Sequence, residues 1–195
     1  MRGYNHITTG FSTVVIIDTI LKTIQSKFGY GICTIFRNAI NPASMLDTGN
    51  KIVTGILTGA ICTAVFLLGC LLPDCDLKTS IIGKVFYVPV RHRTWTHTIW
   101  IILILLILSY VNTCFIWLAY GYFLHIFYDS LSKGGICWFY PISKYLNYSS
   151  GAQIKKGHKI YLYKTSEISE KIVAGVIFAI GIMCAIYNIS LGPIS

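Results

Sequence analysis

Charge is scarce in this chain. Asp, Glu, Lys and Arg make up 12% of its 195 residues, against about a quarter in a soluble domain. Acids are scarcer still, with 7 Asp and Glu facing 16 Lys and Arg. A hydrophobic share of 54% and a mean hydropathy of +0.65 complete the pattern. A water-soluble globular fold is therefore excluded, and a single integral membrane domain over 1–195 is expected. The seven cysteines form no C-x-x-C pair, and their number is odd. Cys62, Cys70, Cys114 and Cys184 lie in or beside apolar runs, where cysteine behaves as a small hydrophobe. Neither a disulfide framework nor a thiolate zinc site is expected. No internal repeat or low-complexity tract stands out. The opening MRGYNHITTGFSTVV has one Arg and no small-residue cleavage site, so no removable signal peptide is expected.

What the chain does contain is long apolar runs. Residues 52–72 hold no charge and are long enough to span a bilayer. Residues 98–131 are divided by Val111-Asn112-Thr113 into arms over about 98–111 and 114–131, which predicts a tight helical hairpin. Residues 172–189 form a last span. The run 7–24 is ambiguous, because Asp18 and Lys22 interrupt it at the i, i+4 spacing of a helical ion pair. The predicted fold class is an all-α polytopic membrane bundle of 4–5 transmembrane or re-entrant helices.

Topology follows from the cations. With four spans, residues 73–97 and 132–171 share one face of the membrane. They carry Lys78, Lys84, Arg91 and Arg93, then Lys133, Lys144, Lys155, Lys156, Lys159, Lys164 and Lys171. That is 11 of the 16 cations, so this face is expected to be cytoplasmic. The basic stretch 155–164 suits anionic headgroups and contains no base-reading module, so direct nucleic-acid binding is not expected.

The rare acids and imidazoles fall at that same level. LLPDCD (71–76) sets Asp74 and Asp76 two apart behind Pro73, which disfavours helix at Leu72. The pair can face one cation, or one carboxylate can bind while the other orients a histidine. The competing reading is a helix N-cap. RHRTWTH (91–97) places His92 and His97 five apart beside Arg91 and Arg93. Neutral imidazole is the commonest metal ligand, and the arginines can grip a phosphate. The competing reading is an interfacial belt with Trp95. GYFLHIFYDSLSKGG (121–135) brings His125 and Asp129 onto one helical face. They can share a metal or simply pin two helices. Gly134-Gly135 is expected to end that helix. His158 lies in a basic loop without a nearby carboxylate and reads as a surface histidine.

In order, LLPDCD, HRTWTHT and GYFLHIFYDSLSKGGICWFYP resemble the YdjM-like family, described as LexA-binding, inner-membrane-associated metal-dependent hydrolases. Its pattern has an early His, then PDxD, HRGxTHS and GYxxHxxxDxLTxxG closing on an aromatic-Pro. The resemblance runs from His6 to about Pro141, with a fainter echo over Tyr163–Glu170. Thr94, Thr98 and Ser132 stand where the family favours Gly, Ser and Thr. The first adds a side chain between the two histidines. The resemblance implies His6, Asp74, Asp76, His92, His97, His125 and Asp129 as a metal site. The H-x-x-x-D helix is also similar to the helical zinc phospholipases C and related nucleases.

The expectation is therefore a hydrolase using a divalent metal, zinc, as one or two ions. It would cleave a phosphodiester or ester bond of a membrane lipid at the inner membrane's cytoplasmic face. Asp76, Arg91 and Arg93 are the expected catalytic residues, the first as orienter or base and the arginines as phosphate holders. The alternative is a non-enzymatic scaffold or regulator whose cluster fastens helices. A transporter would place polar groups mid-span, which 52–72 and 172–189 do not.

Overall fold

A computed structural model describes residues 3–28, 51–133, 135–142 and 162–191. Five α-helices occur among them: α1 (Gly3–Phe28), α2 (Lys51–Leu71), α3 (Ile99–Leu108), α4 (Cys114–Ser130) and α5 (Ile168–Leu191). No strand is present among the described residues, which carry one isolated parallel bridge between Ser132 and Tyr163. Stretches Gly3–Ile24, Gly59–Asp76 and Ile168–Tyr187 are long and apolar enough to cross a membrane.

The ambiguous N-terminal run is thus one continuous helix of 26 residues. Its many hydroxyls do not bar it from lipid. Thr8, Thr9, Ser12, Thr13, Thr19 and Thr23 each donate to the backbone carbonyl four residues back. Their polarity is thereby satisfied within the helix. Asp18 and Lys22 pair at 2.7 Å on its surface.

The hairpin forms, but its first arm is shorter than expected. α3 has 10 residues, roughly 15 Å at 1.5 Å per residue, and cannot cross a core of about 30 Å. It also does not extend down through His97. Thr98 is extended, and Ile99 N–H turns aside to the Trp138 carbonyl. At the hairpin tip the Asn112 side-chain oxygen accepts from Cys114 N–H at 2.9 Å. Of the two arms only α4, with 17 residues, approaches the length of a span.

Two glycines decide how the bundle closes. A Cβ at Gly69 of α2 would collide with the Leu118 carbonyl oxygen, and one at Gly121 of α4 with that of Phe66. The α2 and α4 backbones can therefore lie against each other only because both positions lack a side chain. α1 packs against α2 where Gly10 meets Cys70, and against α5 where Ser12 meets Gly181. Phe66, Cys70, Leu124, Tyr128 and Tyr163 form one core cluster.

Buried residues include as many polar as apolar side chains, while Leu103, Ile104, Ile107, Ile172, Met183 and Ile186 are exposed. Polar groups within and aliphatics without is the arrangement of a helical membrane protein.

Two local expectations are corrected. α4 ends at Ser130, before the glycine pair, and the Ser132 hydroxyl bonds the Asp129 carbonyl there. Gly135, at φ 60°, serves the following turn; Gly134 lies outside the described residues. Nor is either aspartate of LLPDCD an N-cap: both lie inside the 3-10 turn Leu72–Asp76, and the next helical turn, Trp95–His97, follows Thr94. The basic stretch 143–161, with Lys144, Lys155, Lys156, Lys159 and His158, also lies outside them.

Candidate metal centre

The α2–α4 contact positions the first ligand candidate. His125 lies one turn beyond Gly121, and Cys70 directly follows Gly69. Close approach of the two glycines brings the His125 ring to the Cys70 carbonyl, to which Nδ1–H donates at 2.7 Å. In the neutral ring that bond leaves Nε2 as the unprotonated nitrogen. Nε2 then faces Asp74 Oδ1 at 3.5 Å and Asp129 Oδ2 at 4.0 Å.

His97 is oriented by a different device with the same outcome. The Thr96 hydroxyl donates to Asp76 Oδ2 at 2.5 Å and lies 2.9 Å from His97 Nδ1. Since that hydroxyl has spent its proton on the carboxylate, it accepts from Nδ1–H. His97 Nε2 is left bare, 3.5 Å from Asp129 Oδ2 and 3.9 Å from Asp74 Oδ1. Burial pushes the His97 imidazole below its ordinary pKa, which keeps it neutral and free to ligate.

Two bare imidazole nitrogens thus point at two carboxylates, all but sealed from solvent. Lone pair facing lone pair at such distances is repulsive unless a proton or a metal cation lies between. Nε2 of His6, His97 and His125 have no hydrogen-bond partner among the described residues. Buried polar atoms without partners cost free energy, and here they converge. Asp74, His97, His125 and Asp129 each offer an atom within 4.8 Å of the others. Corners of a tetrahedron with bonds of ~2.1 Å lie about 3.4 Å apart, close to the separations found. The donor set could therefore hold a metal ion.

His6 adjoins this group from α1. Its ring stacks on His125 at 3.7 Å between centroids, and Nε2 lies 3.4 Å from Asp129 Oδ1. Asp129 consequently faces His6 with one oxygen and the inner group with the other.

Asp76, His92 and His97 form a second grouping capable of holding an ion. Its atoms are joined by hydrogen bonds. Asp76 accepts from His92 Nδ1–H at 2.7 Å and from Arg93 N–H at 3.3 Å, besides Thr96. A carboxylate with three donors is held still, and through Thr96 it holds His97.

Every histidine and aspartate of the three motifs, with His6, therefore meets at one place. The two arginines separate. Arg91 is exposed. Arg93 turns inward, where Nη2 lies 3.3 Å from Asp129 Oδ2 and Nη1 donates to the Ser132 hydroxyl at 3.0 Å. Its backbone takes φ 63°, a left-handed conformation costly for a side-chain-bearing residue. The guanidinium expected to hold a phosphate is thus spent on Asp129.

Several participants escaped the sequence reading. Asn5 donates its side-chain amide to Glu170, tying α1 to α5 beside His6, and Glu170 also accepts from Ser166 N–H. The Tyr163 hydroxyl donates to the Tyr128 carbonyl at 2.6 Å, bringing the 162–165 segment against the end of α4. The echo over Tyr163–Glu170 was the signal available for these. The Cys70 carbonyl had none, because a backbone atom leaves no mark on residue type.

Fold and site together define a helical membrane protein with a buried His/Asp cluster suited to a metal ion. The model of the YdjM inner membrane protein family matches residues 1–191, and the chain belongs to that family. No curated protein and no solved structure matches it.

Proposed function

We propose that this protein is a metal-dependent hydrolase cleaving a phosphodiester or ester bond of a membrane lipid at the cytoplasmic face. The observation that carries the reading is the convergence of bare His97 and His125 Nε2 atoms on Asp74 and Asp129. Zinc, bound as one ion by those four residues, would supply a Lewis acid and a water ionised near neutral pH. Asp76, His92 and Thr96 keep His97 in its ligating tautomer, and the Cys70 carbonyl does so for His125. Arg93 neutralises part of the charge on Asp129. His6, stacked on His125 with Nε2 3.4 Å from Asp129 Oδ1, holds that carboxylate from the α1 side. Exposed Arg91 is left to meet a lipid phosphate.

The second reading is a scaffold, favoured by the separate origins of the cluster. Its members come from α1, the turn after α2, the segment before α3, and α4, so an ion there would also bolt the bundle together.

Metal content and hydrolysis of a phospholipid and ester panel separate the two, measured on purified wild type, His125→Ala and Asp74→Ala. The enzyme reading expects stoichiometric metal and turnover, both lost in each variant. Metal without turnover on any substrate supports the scaffold. Metal-free wild type with unaltered variants overturns the site.

A further inference from the structure

A cavity of about 810 Å3 opens beside the cluster, within the range of about 300 to 1,000 Å3 typical of ligand pockets. Phe86, Val88 and Val90 form one wall, while Trp100, Ile101 and Ile104 of the α3 arm form another. Among the described residues no charged side chain lines it. Phe86, Trp95 and Ile104 at its rim are more than half exposed, whereas Cys75, Thr96, Thr98 and Tyr122 are buried and mark its inner end.

That inner end belongs to the metal centre. The Tyr122 hydroxyl donates to the Thr96 carbonyl, and the Thr96 hydroxyl donates to Asp76. The walls share the same backbone. Val88 N–H donates to the carbonyl of Cys75, the residue between the two aspartates, at 3.0 Å. Ile99 N–H reaches Trp138 O at 2.9 Å, anchoring the start of α3. The groove is therefore built with the site.

We infer that this groove seats one hydrocarbon chain of a bilayer lipid, with the lipid's polar linkage at the Thr96 end. The substrate class is then a chain-bearing amphiphile delivered from within the leaflet, an inference that rests on the hydrolase reading above. Three features select a lipid chain. A lining without charge offers nothing to a headgroup or an ionic peptide. Its rim runs into the exposed aliphatic face of α3, Leu103, Ile104 and Ile107, so the groove opens where lipid tails lie. Trp95 and Trp100 flank it, as aromatic side chains flank membrane interfaces.

The test uses full-length protein in nanodiscs containing phosphatidylglycerol with a diazirine near the end of one acyl chain, and maps adducts by mass spectrometry. Adducts are expected to concentrate on 86–90 and 100–104, above those on the lipid-facing residues Ile180 and Met183 of α5. Val88→Trp and Ile104→Trp, from opposite walls, should each lower groove adducts about tenfold, the equivalent of displacing about two methylenes. Adducts on α5 should not change. Ile104 is exposed on α3, so its variant carries the test should Val88→Trp not fold. Groove adducts no denser than those on α5, or unmoved in a folded variant, overturn the inference. Chelated wild type should keep the groove adducts. The chain site can thus stand while hydrolysis fails, or fail while hydrolysis stands.

Discussion

His125 donates Nδ1–H to the Cys70 carbonyl across 2.7 Å, joining the two helices that Gly69 and Gly121 allow to touch. Helix packing and ligand orientation are one feature here. The backbone approach that closes the bundle also selects the tautomer that faces Asp74 and Asp129.

Gly121→Ala should therefore damage stability and metal binding together. The added methyl meets the Phe66 carbonyl and Cys70 N–H, both backbone. Overpacking of this kind costs about 1–3 kcal/mol, and loss of a ligand's orienting bond costs about 10–100-fold in metal affinity. Thermal unfolding in detergent and metal titration measure the two effects. A variant losing stability at unchanged affinity would break the link between glycine contact and His125.

Metal should stabilise the fold. At a free concentration of 100 times Kd, a single ion adds about 2.7 kcal/mol. Chelation should lower the unfolding midpoint of wild type, and zinc should restore it. Asp129→Asn, which removes the carboxylate shared by His6, His97 and His125, should respond to neither. An identical chelator response in the variant would remove Asp129 from the site.

Arg93→Ala should destabilise most when metal is chelated, by about 3 kcal/mol, because the buried Asp129 carboxylate then loses its cationic partner. Its partner Asp129 is 1% exposed. If Arg93 instead served only an incoming phosphate, the variant would unfold like wild type and lose affinity for substrate alone.

Asp76→Asn replaces an acceptor of three hydrogen bonds with a side chain that can accept through only one atom. His97 then loses the relay through Thr96. Metal affinity should fall about 10–100-fold, with the ion still bound at high concentration. Complete loss of metal at saturating zinc would instead make Asp76 a direct ligand.

Orientation has its own test. In a cysteine-free background, a cysteine at Lys155 should react with an impermeant maleimide in inverted vesicles and not in intact cells. Labelling from outside would reverse the topology inferred from Lys and Arg distribution.

Much of the architecture was legible because membrane insertion is a composition problem. Apolar runs and a charge deficit suffice to read helices in lipid, and the i, i+4 spacing of His125 and Asp129 suffices to put them on one face. The N-terminal helix resisted that reading because Asp18 and Lys22 interrupt its apolar run; in the structure they pair at 2.7 Å on its surface. In the helix, Thr9, Ser12 and Thr13 bond their own backbone. The length of α3 resisted it too, since the diversion of Ile99 N–H to Trp138 is a long-range bond.

By itself, then, the sequence determined an all-helical membrane chain whose few acids and imidazoles gather at one level, because lipid penalises each of them individually. Tertiary structure alone decided which of these residues face one another. His97 and His125 are bared toward Asp74 and Asp129, Arg93 is consumed by Asp129, and Asp76 is held by three donors. The reason is directional. Tautomer and ligand geometry are set by hydrogen bonds to a distant carbonyl, hydroxyl or backbone N–H, and such partners exist only once the chain has packed.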